Sequence, residues 1–473
     1  MIRRLSYAAA VVSAASAIIL GALPASAQVV PQPAIGAPKP VSVPRTEDYQ
    51  LPNGIKVTLV PYAVVPKAIV AVRIPTGNAA EGEDTWLSDL TVSLMREGAG
   101  SRSGSEVSQA FADIGGGLGT SVGSSSTLFS TNVLGERAPD AVALIADLMQ
   151  RPVFPADALD RVKQGYVRNI AINLSTPSGQ AFNAYHRTVF AGHPYAAYVP
   201  SEAQMQAYTL DQAKAFHARN FGPNGAHIYV GGQFDAAAVR AAIEQQFGGW
   251  RINNAVVDVP VAPAVVRRVV LVDRPGALQS TLMLVSDAPK IGGQDYIRAE
   301  VMDSLLGGSF NSRITTNIRE DKGYTYSPYS ALNVLDVNTT HWSQNADVTA
   351  AHTGDSLKEI FHEIRRLQGE TPTQAETTGT QNMSTGGFVM GMSTTSGVVN
   401  NIITLDNRNL SRDYYDRYIP WVMSVTPADI QQAAQKLDLN KMTVIVVGDL
   451  ATVRPQLEAL PEFQGVTFEV FQP

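Results

Sequence analysis

Residues 311–330, "NSRITTNIREDKGYTYSPYS", set Arg319 seven residues ahead of Tyr326 across a Lys-Gly step, where a helix gives way to a strand. A guanidinium fork can hold a carbonyl or carboxylate in register. A phenol can donate to an oxygen that gains charge during a reaction. The plainer interpretation is a solvated helix charge and a strand tyrosine packing one face, and composition alone favours it. Arg313 and Tyr324, in the same run, read as structural neighbours. The elements around the pair decide between these interpretations.

Other chemistry is thinly represented. No two of the seven histidines (His186, His193, His217, His227, His341, His352 and His362) lie three or four apart, so no helix offers a two-histidine ligand face. A zinc site gathered from distant single histidines stays open but is the lesser expectation. There are no cysteines, which excludes disulfides, thiol catalysis and thiolate metal sites. No G-x-S-x-G elbow stands in a clear strand-to-helix setting. "GGSF" at 307–310 could cradle an anion, but Gly-Gly more often stops a helix, and no Lys-Ser/Thr pair follows to make a P-loop.

At 473 residues, with 45% apolar and 16% charged, the chain suits several domains with large cores. Its N-terminus has the form of an export signal: "MIRR", an apolar stretch to Pro24, and "ASA" before Gln28. A retained membrane anchor is the alternative; Ala and Ser dilute the stretch, which favours cleavage after Ala27 and a periplasmic product. Losing Arg3 and Arg4 with the signal takes the formal charge from -6 to -8. That mild acidity argues against nucleic acid as a partner. No later segment suits a bilayer, so no membrane association is expected once the signal is removed.

A Pro-rich leader covers 28–45. A first unit, 46–252, opens with "YQLPNGIKVTLVPY", whose Asn53-Gly54 pair reads as a hairpin turn. "KAIVAVRIP" follows as a second strand. A helix then carries Leu87, Leu90 and Leu94, and "SGSE" has capping-box form. The Gly/Ser-rich stretch "GGGLGTSVGSSSTLFSTNVL" reads as one strand, and "AHIYVGGQF" closes the unit. After a Pro/Val linker, 253–265, the order recurs about 215 residues on in 266–473, which ends in "KMTVIVVGDL". The pattern predicts two homologous α+β domains in tandem, each a mostly antiparallel sheet covered by helices. Residues 371–400 hold much Thr and Gly for a helix, so their structure is left open.

The order of segments, with "LPNGIKVTLVP", "HPYAAYVPSE", the Gly-Gly before "SR", "REDKGYTYS" and "VIVVGDL", resembles the pitrilysin/insulinase-type zinc peptidases over roughly residues 46–460. The likeness is greatest to their bacterial, processing-peptidase-like branch. The resemblance implies an H-x-x-E-H zinc motif on the helix after the second strand. Its three functional positions fall here on Asp89, Val92 and Ser93. The downstream acid that would complete the site falls within "KQGYVRNI", which has no carboxylate, and Gly119-Thr120 replaces the substrate strand's Asn-Ala. Within that family, Arg319 and Tyr326 match the arginine and tyrosine that face the zinc across a chamber.

The resemblance therefore implies a chain without zinc of its own. It would be the non-catalytic subunit of a heterodimeric periplasmic metallopeptidase, inactive alone, lending Arg319 and Tyr326 to a zinc-bearing paralogue with peptides as substrates. The alternative is a catalytically inert scaffold or peptide-binding protein of the same fold. A peptidase with unrecognised ligands is a third, weaker possibility.

Overall fold

Runs of β-branched and apolar residues build two six-stranded sheets. The computed structural model describes residues 43–62 and 65–472; the expected export signal and the expected leader as far as residue 42 lie outside them. The first sheet takes β1 (Glu47–Gln50), β2 (Lys56–Pro61), β3 (Lys67–Ile74), β4 (Gly119–Val122), β5 (Thr127–Leu134) and β6 (His227–Gly232), in the order β1-β2-β6-β3-β5-β4. The second takes β7 (Arg268–Asp273), β8 (Gln279–Asp287), β9 (Tyr329–Val334), β10 (Thr340–Thr349), β11 (Thr443–Gly448) and β12 (Phe468–Phe471), in the order β12-β7-β11-β8-β10-β9.

The two orders are the same. Neighbours are antiparallel except β2–β6, β7–β11 and β7–β12. The closing strands β6 and β11 are buried along their whole length, so both faces of each sheet must be covered. Asn53-Gly54 makes the β1–β2 turn: Gly54 has φ +94, and the Asn53 amide donates to the carbonyls of Phe247 and Trp250 at 2.8 and 3.2 Å. Residues 253–265 form neither helix nor strand.

Two expectations need correcting. The Gly/Ser-rich stretch is two strands, because Gly123 and Ser126 close a turn between β4 and β5 (N···O 2.9 Å). The second half also continues past Asp449 into a helix, Leu450–Glu458, and β12. There β12 joins the edge that β1 occupies in the first sheet, reached from the opposite end of the chain.

Seven helices carry the candidate residues or cover the sheets beside them: α1 (Leu87–Met95), α2 (Leu159–Ser175), α3 (Pro177–Val189), α4 (Gln294–Asp303), α5 (Thr353–Gly369), α6 (Gln374–Gly391) and α7 (Thr395–Asn407). The open stretch 371–400 is thus mostly α6 and the start of α7. Thr373 and Glu376 form a capping box at the start of α6. The buried Gln381 amide donates to the carbonyls of Val422, Met423 and Val425. Tertiary partners of this kind outweigh the weak helix preference of Thr and Gly.

Each half gives one helix to the other. From the first half, α3 packs Ala181, Ala184 and Tyr185 against Val270, Met283 and Ile445 of the second sheet. From the second half, α7 packs Val399, Ile402 and Ile403 against Val60, Ile69 and Tyr229 of the first. At Gly231 a Cβ would lie 2.1 Å from Val399 Cγ2, so the helix seats only because that residue is glycine. Polar contacts pin both crossings: Tyr185 Oη lies 2.7 Å from His341 Nδ1, and Tyr229 Oη donates to Asp406 at 2.8 Å. With this exchange the two halves form one compact unit.

Candidate functional site

In the first half, α1 follows β3 and turns Leu87, Leu90 and Leu94 into the core. Its N-terminus is fixed by Glu81, which accepts from the backbone N–H groups of Trp86 (2.9 Å) and Ser88 (2.8 Å). The Asn78 amide donates to both Glu81 (3.0 Å) and Asp89 (2.7 Å). Burial pushes Glu81 up to about 7 against its bonds from Ser88 and Asn78, with the Asp89 charge adding to the rise. Burial likewise pushes Asp89 up to about 6.

Ser93 Oγ lies 2.8 Å from Tyr166 Oη, which donates to the Asp89 carbonyl at 2.9 Å. The phenol has one proton, so Ser93 is the donor in the first of these bonds. Burial pushes the Tyr166 hydroxyl up to about 12. Val92 is buried among apolar neighbours. At these three positions stand a carboxylate already bonded to Asn78, a hydrocarbon, and a hydroxyl spent on a phenol. That donor set does not fit zinc, which takes imidazole, thiolate or carboxylate ligands. Among the described residues no group of three or more His, Asp and Glu could hold a metal. Gly119 and Thr120 lie on β4, the edge strand of the sheet.

In the second half, α4 runs into a π-helical turn at Ser304–Gly308. Gly307 meets Gln344 and Ser330 so closely that a Cβ would lie 2.4 Å from the Gln344 oxygen; the Gly-Gly step serves packing. Ser312 caps a short helix that widens into a second π turn, Thr316–Asp321. Such turns redirect side chains and recur at functional sites. This one carries Arg319, whose guanidinium carbon lies 4.2 Å from the Phe310 ring centre and 5.1 Å from that of Tyr326. Arg319 Nε lies 3.3 Å from Glu320.

Tyr326 precedes β9 and is 80% exposed; Phe310 is 64% exposed. The loop is held by Thr325, which bridges to Val348 of β10 and donates to the Asp347 carbonyl at 2.7 Å. The neighbours are occupied: Tyr324 stacks on His352 at 4.4 Å, and Arg313 Nε donates to Glu376 at 2.9 Å.

The structure thus brings Arg319 and Tyr326 together and puts Asp89, Val92 and Ser93 on one helix of the other half. Phe310 and Tyr166 were not singled out from the sequence. Phe310 follows Gly307-Gly308-Ser309 with no periodic signal, and Tyr166 lies in "KQGYVRNI", notable there only for lacking acids.

Comparison with known proteins identifies the family and the fold. The family profile described as "Insulinase (Peptidase family M16)" matches residues 57–199, and that described as "Peptidase M16 inactive domain" matches 207–384. An uncharacterized zinc protease of Mycobacterium bovis is 23% identical over 424 residues, covering 88% of this chain and 96% of the relative. Among solved structures, a peptidase M16 inactive domain from Pseudomonas fluorescens superimposes with TM-score 0.78 at 22% identity, over 85% of this chain and 98% of that one. A protease from Helicobacter pylori gives TM-score 0.79 at 17% identity, over 86% and 100%. The periplasmic protease PqqL from Escherichia coli gives 0.73 at 13% identity, over 90% of this chain and 49% of that chain.

Proposed function

This chain belongs to the insulinase family of peptidases (M16), and we propose that it is the non-catalytic subunit of a heterodimeric periplasmic zinc metallopeptidase. The carrying observation is the pair itself: Arg319, partly buried against the rings of Phe310 and Tyr326, with the Tyr326 phenol exposed, in a chain whose first-half helix α1 lacks a zinc donor set. Cation–π contacts with two rings help to position the guanidinium, and the exposed phenol stays open to a ligand.

In this reading a zinc-bearing paralogue supplies the metal, which activates water for attack on a peptide carbonyl. The Tyr326 hydroxyl donates to the carbonyl oxygen as it gains charge, and Arg319 holds the neighbouring carbonyl or carboxylate. Substrates are peptides, and no nucleic acid is involved. An export signal and a periplasmic neighbour of the same fold support the location. Among the described residues no helix is long and apolar enough to cross a membrane.

The test is to mix the purified chain with an H-x-x-E-H paralogue and follow cleavage of an unfolded peptide. Cleavage should require both chains, and metal analysis should find zinc in the paralogue and well below one equivalent in this chain. Full activity of the paralogue alone, or stoichiometric zinc in this chain, contradicts the reading.

A further inference from the structure

Beside Ser93, the last of the three motif positions, lies a cavity whose electrostatic character is the opposite of a cation site's. Between α1 and α2 lies a space of about 710 Å³ lined by Ser93, Arg96, Arg161, Tyr166, Arg168 and Asn169. A cation site needs lone pairs pointing inward. This cavity presents three guanidinium groups instead. Its one lining carboxylate, Glu97, is already paired with Arg161. Arg96 and Arg168 make no ion pair among the described residues, and both are exposed. The Tyr166 and Ser93 hydroxyls are engaged with each other, Ser105 with Ser103 and Ser108 with the Gly104 carbonyl, so the groups left to meet a ligand are the two free guanidiniums and the Asn169 amide.

We propose that this cavity binds the carboxylate of a peptide, held by Arg96 and Arg168 with Asn169. The volume is several times what a small inorganic anion fills, which leaves room for the residues flanking the carboxylate. Planar guanidinium forks match a carboxylate two oxygens at a time. The apolar edge of Val162 and the ring of Tyr166 also line the space and can take up an adjoining side chain. The choice of a peptide as the carrier of that carboxylate rests on the function proposed above. The assignment stands on the isolated chain and needs neither the paralogue nor Arg319 and Tyr326.

Trp86 reports on the site, since its ring centre lies 5.9 Å from that of Tyr166. Four probes are titrated into the full chain by calorimetry and Trp86 fluorescence: an N-capped neutral hexapeptide with a free C-terminus, its C-terminal amide, an amidated hexapeptide with one central glutamate, and inorganic phosphate. The first or the third should bind saturably and change the fluorescence. Binding of the first assigns a terminal carboxylate, and binding of the third a side chain. Arg96→Ala with Arg168→Ala should weaken that binding about tenfold or more. Arg96→Lys, which keeps the charge, should lose less, and Arg219→Ala, away from the cavity, nothing. Both cavity arginines are exposed, so circular dichroism should show unchanged folding. The proposal is overturned if neither carboxylate peptide binds, if the neutral amide binds as tightly, if the arginine variants bind unchanged, or if phosphate matches the peptides.

Discussion

The two halves of this chain share a strand order and differ most where each could do chemistry. In the first half the side chains at the motif positions are satisfied within the protein: Asp89 by Asn78, Ser93 by Tyr166, Val92 by the core. In the second half Arg319 and Tyr326 lie against each other with the phenol 80% exposed. One duplicated scaffold has therefore turned one site inward and kept the other outward. Inward groups contribute to stability and can be spared by chemistry, whereas exposed groups contribute little to stability and are free to act.

The largest effects should come from the exchanged helices, where the halves act as one. Ile402→Ala on α7 and Phe190→Ala just after α3 each empty a buried site. Each should cost about 2–5 kcal/mol in denaturant unfolding. Both should lower a single shared transition, by fluorescence and circular dichroism alike. Two separable transitions, with each variant shifting only one, would show that the halves are independent.

Next in size is a pH effect of opposite sign in the two halves. Glu81 is raised from 4.5 to about 7 by burial, so the native state holds its proton more tightly than the unfolded chain. Its contribution is complete below pH 4.5 and lost as pH rises through about 7. The loss is on the order of 3 kcal/mol. Glu376 runs the other way: against the upward push of burial, hydrogen bonds from Arg313 and Thr373 hold it at about 2. Its contribution is present above pH 4.5 and lost as pH falls through about 2. Glu81→Gln should flatten the decline in stability between pH 4.5 and 7, while Glu376→Gln should leave that window unchanged and blunt the loss at acid pH. The same slope in Glu81→Gln as in the parent would remove the contrast.

Much of this organisation is legible in the sequence. The strand-Gly runs at "AHIYVGGQF" and "KMTVIVVGDL" mark the closing strands of both sheets, and Asn53-Gly54 marks its turn. The seven-residue interval locates Arg319 and Tyr326 but cannot show that the Phe310 ring also packs against the guanidinium. Helices α6 and α7 are hidden because contacts far along the chain outweigh composition: Gln381 to the carbonyls near Val422, and Val399 to the space over Gly231. The arginine cavity is hidden for the same reason, since Arg96 caps the end of α1, Arg168 lies on α2, and the two follow no motif.

The smallest effect separates the roles of the halves most cleanly. Tyr326→Phe, at an 80% exposed phenol, should change the stability of the isolated chain by no more than about 0.5 kcal/mol, as chemical denaturation would show. Ser93→Ala leaves Tyr166 one partner short and should cost about 1 kcal/mol. A larger stability loss at 326 than at 93 would reverse the inward and outward assignment.

The most direct measurement is steady-state peptide cleavage by this chain mixed with a zinc-bearing H-x-x-E-H paralogue, with Arg319→Ala and Tyr326→Phe introduced here alone. Each substitution should lower kcat/KM on the order of 100-fold, with the Tyr326 effect falling mainly on kcat and the affinity between the chains unchanged. Full activity from both variants in a normally assembled pair would contradict the account.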